Sequence, residues 1–386
     1  MPWKEYGVVE QRYEFVIRCL SKQESFTELC SEYGITPKTG YKWKSRFLEE
    51  GLDGLADQSR RPKSNSKQLA ESVTCEIIRI KNAKKKWGPK KIRDVYASIH
   101  KGKAIPSLST FERVLKKSGM VESRKRNRTK KSSRITNRVK ADAPNKVWTV
   151  DFKGWWYTPE KERCEPLTIR DEFSKFILDI RILEKGDILR VQRVFEQIFL
   201  KYGVPEYIRS DNGPPFASSR SVLGLTRLSV WWMTQGILLD RIKPASPHEN
   251  GGHERMHLDM KRELEGKIKG NLKFHQSIFD TWRDEFNYER PHESLGMKKP
   301  AAVYRKSKRK FQRFDRIEYP EQLHARHVST RGYINYKGRH VFISNAFNGF
   351  DVGIHDTGKS KLPVYFCEHC IGFVDLGSYT FIEKSG

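Results

Sequence analysis

Apolar positions recur at helical spacing through the first fifty residues. Tyr13, Val16, Ile17 and Leu20 stand at i, i+3, i+4 and i+7, which predicts an amphipathic helix. Phe26, Leu29, Cys30 and Tyr33 give a second stripe, and Gly34 follows where a tight turn is expected. Pro37 opens a third segment at the first helical position, where its missing N–H costs little. That segment, "PKTGYKWKSRFLEE", mixes Trp43 and Phe47, expected in a core, with a run of cations. Helix, glycine turn and basic helix form a helix-turn-helix pattern. A three-helix bundle with a charged surface is the alternative. Lys38, Thr39, Lys42 and Arg46 are the candidates for contacting DNA.

"GLDGLADQSRRPKSNSK" breaks the periodicity and reads as a linker able to follow a phosphate backbone, with Arg60 and Arg61 as candidate contacts. "WGPKKIRDVYASIH" and "SLSTFERVLKKSGM" resemble the two helices of a second helix-turn-helix, the latter capped by Ser107 or Ser109. Residues 121–140 hold nine basic residues and one acidic residue. Such a run is expected to be disordered alone and to order on nucleic acid, with Lys125, Arg126, Lys130 and Lys131 as candidate contacts.

At Asn145 the pattern changes. "KVWTVDF" alternates as a strand, and "CEPLTIRDEFSKFILDIRIL" reads as a hairpin. "GDILRVQRVFEQIFLKYG" is an amphipathic helix ending at Gly203, "PEYIRSDNG" a short strand running into a turn, and "GILLDRIKP" another strand, with a short helix possible before it. "GGHERMHLDMKRELEG" and "FHQSIFDTWRDEFNYE" read as helices. That order describes one mixed α/β domain. From about residue 320 the chain turns β-rich, with a hairpin at Lys337-Gly338, and a small barrel is expected. The predicted organisation is multidomain: a helix-turn-helix unit at 1–60, a second helical unit at 61–120, a basic linker at 121–144, an α/β core at 145–305 and a C-terminal β-barrel at 320–386.

Charge narrows the function. A net charge of +27 and a pI of about 9.8 call for a polyanionic partner, most often nucleic acid. Six scattered cysteines suggest a reducing cytosol without a disulfide framework. Nothing near Met1 resembles a secretory signal and no apolar run reaches membrane length, so a cytoplasmic, nucleoid-associated protein is expected.

Three carboxylates carry the chemistry. Asp151 sits on a predicted buried strand, where a charge is costly unless paired or metal-bound. Asp211 ends another strand, in "IRSDNGPPF", where strand C-termini gather ligands. Glu254 starts a helix after Asn250-Gly251-Gly252. Hard oxygen donors converging from two strands and a helix suit two Mg²⁺, or Mn²⁺, and in-line phosphoryl displacement. "HERMH", residues 253–257, also matches the H-E-x-x-H pattern of zinc proteases, but the third histidine of the longer signature is missing. "GIHDTGKS" fits a phosphate-loop pattern, yet Pro363 follows and no long helix does, so a hairpin loop is expected. Cys367-Glu368-His369-Cys370 has metal-like spacing, as of half a zinc site, but no second pair, and reads as buried thiols.

The motifs "VWTVDFKGWW", "IRSDNGPPFAS", "NGGHERMHLDMKREL" and "FNYERPHESLGMKKPAAVY", with the N-terminal helix-turn-helix, resemble the DDE transposases of bacterial insertion sequences, relatives of retroviral integrases. The resemblance covers roughly residues 10–65 and 140–305. It implies a ribonuclease-H-like core, Mg²⁺, and cleavage and joining of transposon ends, with Asp151, Asp211 and Glu254 as the metal-binding triad. The closing "N-x-x-R-P-H-x-S-L-G" segment is matched by Asn287, Arg290, Pro291, His292, Ser294, Leu295 and Gly296. A stretch of 42 residues separates Asp211 from Glu254, with "SSRSVLGLTRLSVWW" as an insertion. Glu249 precedes Asn250-Gly251, Glu263 points to another side of the helix, and Glu265 lies roughly 16 Å along it, so Glu254 is preferred. Lys261 shares the side of Glu254 and is a candidate phosphate contact; His257, one turn away, either touches DNA or packs. The expected partners are double-stranded DNA, as transposon ends and target, and at least one further copy of the chain. A DNA-binding regulator that does not cut, and a ribonuclease-H-like nuclease that does not join, are the alternatives.

Overall fold

In the computed structural model of the chain, residues 7–58, 69–121, 139–219, 221–242, 250–264, 270–313 and 316–384 are described. They divide into two compact units, Met1–Ala70 and Glu71–Gly386.

The first unit holds α1 (Val8–Ser21), α2 (Phe26–Glu32) and α3 (Pro37–Glu50). Gly34 takes a positive φ of 62° and turns α2 towards α3, whose Thr36 caps the helix and whose Pro37 fills its first position. Phe15, Val16, Leu29, Cys30, Trp43 and Leu55 form the core. The inward face of α1 is displaced from the expected stripe. Phe15 and Val16 are buried while Tyr13, Ile17 and Leu20 keep about two-fifths of their surface exposed. The reason is the Phe15 ring, which meets Tyr33 edge-on at 5.4 Å and Phe26 at 6.3 Å and so claims the core side of α1.

The second unit begins with α4 (Glu71–Ala83), α5 (Pro89–Ile99) and α6 (Leu108–Lys117). Ser107 caps α6, accepting the Thr110 N–H. The following sheet contains β1 (Val147–Phe152), β2 (Trp156–Tyr157), β3 (Arg163–Asp171), β4 (Ile177–Leu183), β5 (Tyr207–Ser210) and β6 (Leu238–Arg241). β3 pairs antiparallel with β1 and with β4; β1 pairs parallel with β5, and β5 parallel with β6. The parallel crossovers use α7 (Ile188–Tyr202), capped by Asp187 and stopped at Gly203, and α8 (Arg227–Thr234). Alternation assigns the two faces of the sheet. Trp148, Val150, Leu167 and Ile169 turn into a core with α7 and α8. On the other face, Ile177 and Ile180 share a core with α9 (Gly251–Leu264) and α10 (Leu272–Asp284). This layout agrees with the ribonuclease-H-like core that the resemblance implied.

A π-helical turn, Glu285–Glu289, and α11 (Pro300–Val303) follow. The chain ends in β7 (Leu323–His327), β8 (Tyr333–Tyr336), β9 (Arg339–Phe342), β10 (Asp351–His355), β11 (Lys361–Phe366), β12 (His369–Asp375) and β13 (Thr380–Glu383). The expected small barrel is not formed. β13-β12-β11-β10-β7 is an open five-stranded sheet, and β8-β9 is a separate hairpin turned by Lys337-Gly338 with both residues at positive φ. The open sheet buries its inner face against the hairpin and against Leu225, Val230 and Met233 around α8, so its core is filled without closure. "GIHDTGKS" is the β10–β11 connection, as expected, and no helix follows it among the described residues.

Candidate active site

The sheet register brings the two aspartates together. β1 and β5 run parallel with Thr149 opposite Arg209. Two places further on, that register sets Asp151, near the end of β1, beside Asp211, just past the end of β5. Asp211 is exposed, accepts the Gly213 N–H and starts the turn; Asn212 Nδ2 donates to the Ile242 carbonyl and ties that turn to the end of β6. Asp151 shares its face of β1 with Thr149, the face covered by α9. Glu254 stands exposed in the first turn of α9.

The three carboxylates act on one another. Burial, then the negative charge of Asp211 and to a lesser extent of Glu254, push the Asp151 carboxyl up to about 7. Among the described residues no group of three or more His, Cys, Asp or Glu side chains is gathered closely enough to hold a metal ion. Residues 243–249, including the rival Glu249, lie outside the described residues, as does Glu265. The donor chemistry nevertheless fits a hard divalent cation: the charges of Asp211 and Glu254 both reach Asp151, and a cation beside it would relieve that part of its rise.

Buried polar contacts dock α9 on the sheet, and "HERMH" supplies them. Thr168, opposite Asp151 in the β1–β3 ladder, donates its hydroxyl hydrogen to the Asp151 carbonyl at 2.9 Å. The same oxygen lies 2.5 Å from His253 Nε2 and 2.8 Å from His257 Nε2. His253 Nδ1 is 2.9 Å from Thr149 Oγ1. A hydroxyl has one hydrogen and two lone pairs, so both imidazoles are assigned as Nε2–H donors and Thr149 as the donor to His253. Both histidines are buried and held neutral: burial, then His257 and Arg170, lower His253, and burial, then Lys153 and Arg170, lower His257 to about 3. His257 therefore turns the bare lone pair of Nδ1 towards Asp151 Oδ2, 3.8 Å away. Neither histidine has a place in a zinc pair.

Arg170, one step along the same face of β3, donates to the Gly252 carbonyl at 2.7 Å and pairs with Glu172. A Cβ at Gly252 would strike the Arg170 Nη2, whereas Gly251 has open space around it. The second glycine of "NGG" is thus required for close approach of the guanidinium. At the other end of α9, Arg290 holds Asp259 at 3.1 Å and Glu263 at 2.9 Å. Asn287 gives and takes one hydrogen bond each with the backbone of Ile177 at 2.8 Å. The "N-x-x-R-P-H" segment is therefore scaffolding that fixes α9 and α10 against β4. Glu263 is occupied by Arg290 and by the Trp282 indole at 2.8 Å.

Lys261 is exposed and lies near Lys153, since burial and the charge of Lys261 both lower the Lys153 amine. Lys153, Thr168 and Arg170 are site residues the sequence reading missed. Period-two alternation from Asp151 through its antiparallel partner strand would have found Thr168 and Arg170. Asp171 is a buried turn anchor for Ser174 and Asn145, and Asp179 pairs with Arg181 and Arg283, so both stay structural.

In the first unit, Lys38 and Lys42 are exposed on α3. Thr39 is partly spent on its helix cap, 3.0 Å from the Thr36 hydroxyl, and Arg46 bonds Gln58 at 3.0 Å. Tyr41, 60% exposed between the two lysines, joins their face. Arg60, Arg61, Lys125, Arg126, Lys130 and Lys131 lie outside the described residues. Cys367 and Glu368 form the tight β11–β12 turn, with Phe366 opposite His369.

Comparison with known proteins agrees with this arrangement. Residues 141–247 and 235–300 match two family models described as integrase core domains, 11–63 a helix-turn-helix domain and 39–115 a homeodomain-like domain. The chain thus carries helix-turn-helix and integrase core domains. It is 23% identical over 232 residues to the insertion element IS407 uncharacterized 31.7 kDa protein of Burkholderia multivorans, covering 60% of this chain and 80% of that protein. To the insertion element IS476 uncharacterized 39.2 kDa protein of Xanthomonas euvesicatoria it is 23% identical over 254 residues, covering 65% and 69%. The catalytic core of HTLV-2 integrase, solved in complex with magnesium, aligns at 18% identity and a TM-score of 0.35 over 43% of this chain and 100% of that one. The integrase core domains and the insertion-element relatives support a bacterial insertion-sequence transposase of the integrase superfamily. No helix among the described residues is long and apolar enough to cross a membrane.

Proposed function

We propose that this transposase binds the terminal inverted repeats of its element and catalyses metal-dependent DNA cleavage and strand transfer, with Asp151, Asp211 and Glu254 as metal ligands. The observation that supports it best is the β1–β5 register that sets Asp151 beside Asp211, together with the rise of the Asp151 carboxyl to about 7 through burial and then the charges of Asp211 and Glu254. Two divalent cations, Mg²⁺ or Mn²⁺, would supply the activation of a water or 3′-hydroxyl and the stabilisation of the leaving oxygen. The chain's own part is placement. β1 and β5 set the two aspartates side by side, and Thr168 and Arg170 fix the start of α9 so that Glu254 meets them. His257, kept neutral, offers a lone pair and no competing positive charge beside Asp151. Lys153 and Lys261 would steady a phosphate at the rim. The exposed face of α3, with Lys38 and Lys42, would read the ends, together with the cations of the following linker. Joining two ends takes at least two copies of the chain, acting on the nucleoid.

The test is incubation of the full-length protein with supercoiled DNA bearing the element's ends, with Mg²⁺ or Mn²⁺ and with chelator. The expected result is metal-dependent nicking to 3′-hydroxyls, then joined products flanked by short target duplications. End binding without cutting in either metal overturns the enzymatic reading.

A further inference from the structure

A cleft of about 580 Å³ lies between the α4–α5 turn and α9, with eight Lys or Arg and four Asp or Glu in its walls. Three of the acids are engaged: Asp259 and Glu263 by Arg290, and Glu293 by Lys90 at 2.8 Å. The cations are not all answered. The Lys91 side chain, half-buried beside the Trp87 ring at 6.0 Å, makes no ion pair or hydrogen bond among the described residues, and neither does the exposed side chain of Arg262. Arg290, only 4% exposed, keeps its Nε buried without a partner. Unpaired cations drawn into a cleft are costly unless an anion joins them. Burial, and next the charge of Arg290, lower Lys91 to about 8, as expected of an ammonium awaiting such a partner.

We infer that this cleft holds phosphates of a DNA strand, its backbone passing between the α4–α5 turn and α9. The inference deepens the transposase reading and rests on it. Arg255 and Arg262 each follow by one residue a member of the Glu254–Lys261 face, so they lie about 100° round the same helix. They are roughly 10 Å apart along it, more than one phosphate spans. A strand held here would be one step round α9 from the carboxylates.

The test uses the full-length chain, a 30-base-pair duplex of arbitrary sequence, and inorganic phosphate. Lys91→Gln and Arg262→Gln are expected to weaken duplex binding several-fold and each to lower the slope of log affinity against log salt by about one. Lys91→Arg should restore both. Wild-type binding with unchanged affinity and slope in both variants overturns the cleft assignment alone, whereas a wild type that binds no duplex overturns the DNA-acting reading as well. Loss of phosphate binding with duplex binding intact makes the cleft a small-anion site and also overturns it. Lys91→Gln should melt no lower than wild type; a clear drop would show Lys91 holding the fold together and contradict its assignment as an unpaired ligand.

Discussion

The Thr168 hydroxyl accepts the Nε2–H of His257 at 2.8 Å while donating to the carbonyl of Asp151, so one buried oxygen joins the helix of Glu254 to the strand of Asp151. Its three hydrogen bonds exhaust its capacity. Thr168→Val keeps the shape but orphans two buried imidazole N–H groups, at about 1–3 kcal/mol each. The expected result is a loss of about 2–4 kcal/mol in urea unfolding and a fall in metal-dependent cleavage. Thr168→Ser, which keeps the hydroxyl, should stay within about 1 kcal/mol of wild type. A valine variant as stable and active as wild type would show that the network does not hold α9.

The two glycines before "HERMH" should behave oppositely. Gly252→Ala pushes a Cβ into the Arg170 guanidinium, and with it disturbs the bond that holds the first turn of α9. Gly251→Ala meets open space, and alanine favours the helix. We expect a lowered melting temperature and impaired cleavage for the first, and no loss for the second. Equal effects would contradict the close-approach explanation.

The two faces of the sheet explain what could be read in advance. The α7 helix was legible because it buries Val191, Val194, Phe195, Ile198 and Phe199 at helical spacing, and β3 and β4 because short apolar runs flank a turn. Two of the three candidate carboxylates stand out in the sequence because they sit where chain direction changes: Asp211 before Asn212-Gly213, Glu254 after Gly251-Gly252. Thr168, Arg170 and Lys153 were not, since their roles arise from pairing between strands, which no local spacing encodes. Phe15 displaced the apolar stripe expected on α1 for a similar reason: the choice of face depended on rings from another helix. The barrel failed because alternation predicts strands but not whether the first and last will meet.

Arg170 and Glu172 give an acid-sensitive prop beneath the site. Burial alone would raise the Glu172 carboxyl, yet Arg170 and Lys175 hold it down at about 2. A carboxylate depressed on folding stabilises above its unfolded value, near 4.5, and loses that contribution as pH falls towards 2. Glu172→Gln should therefore be about 2–3 kcal/mol less stable than wild type at pH 7, with the gap closing between pH 4.5 and 2. A gap of the same size at pH 3 as at pH 7 would remove the ion pair as its cause.

Asp151 gains no stability from its position in the metal-free chain, because it is partly buried and faces two other carboxylates. Removing its charge should cost the fold nothing. Asp151→Asn is expected to melt at or above wild type in chelator, to lose the rise that Mg²⁺ gives wild type, and to lose both cleavage and strand transfer while DNA binding persists. Retained strand transfer would remove Asp151 from the triad.

On α3 the side chains divide between holding the fold and facing outwards. Lys38, Tyr41 and Lys42 share an exposed face, whereas Thr39 serves its helix cap. Lys38→Ala and Lys42→Ala should weaken end binding and lower its salt slope by about one each, without altering the melting temperature. Tyr41→Ala removes an aromatic with no charge, so its effect on binding should be nearly independent of salt. Thr39→Ala removes only the hydroxyl contact to Thr36, leaves the capping N–H bond in place, and should change neither binding nor its salt dependence much. Salt-dependent loss at Thr39, or none at either lysine, would show that α3 does not meet the phosphate backbone in this way.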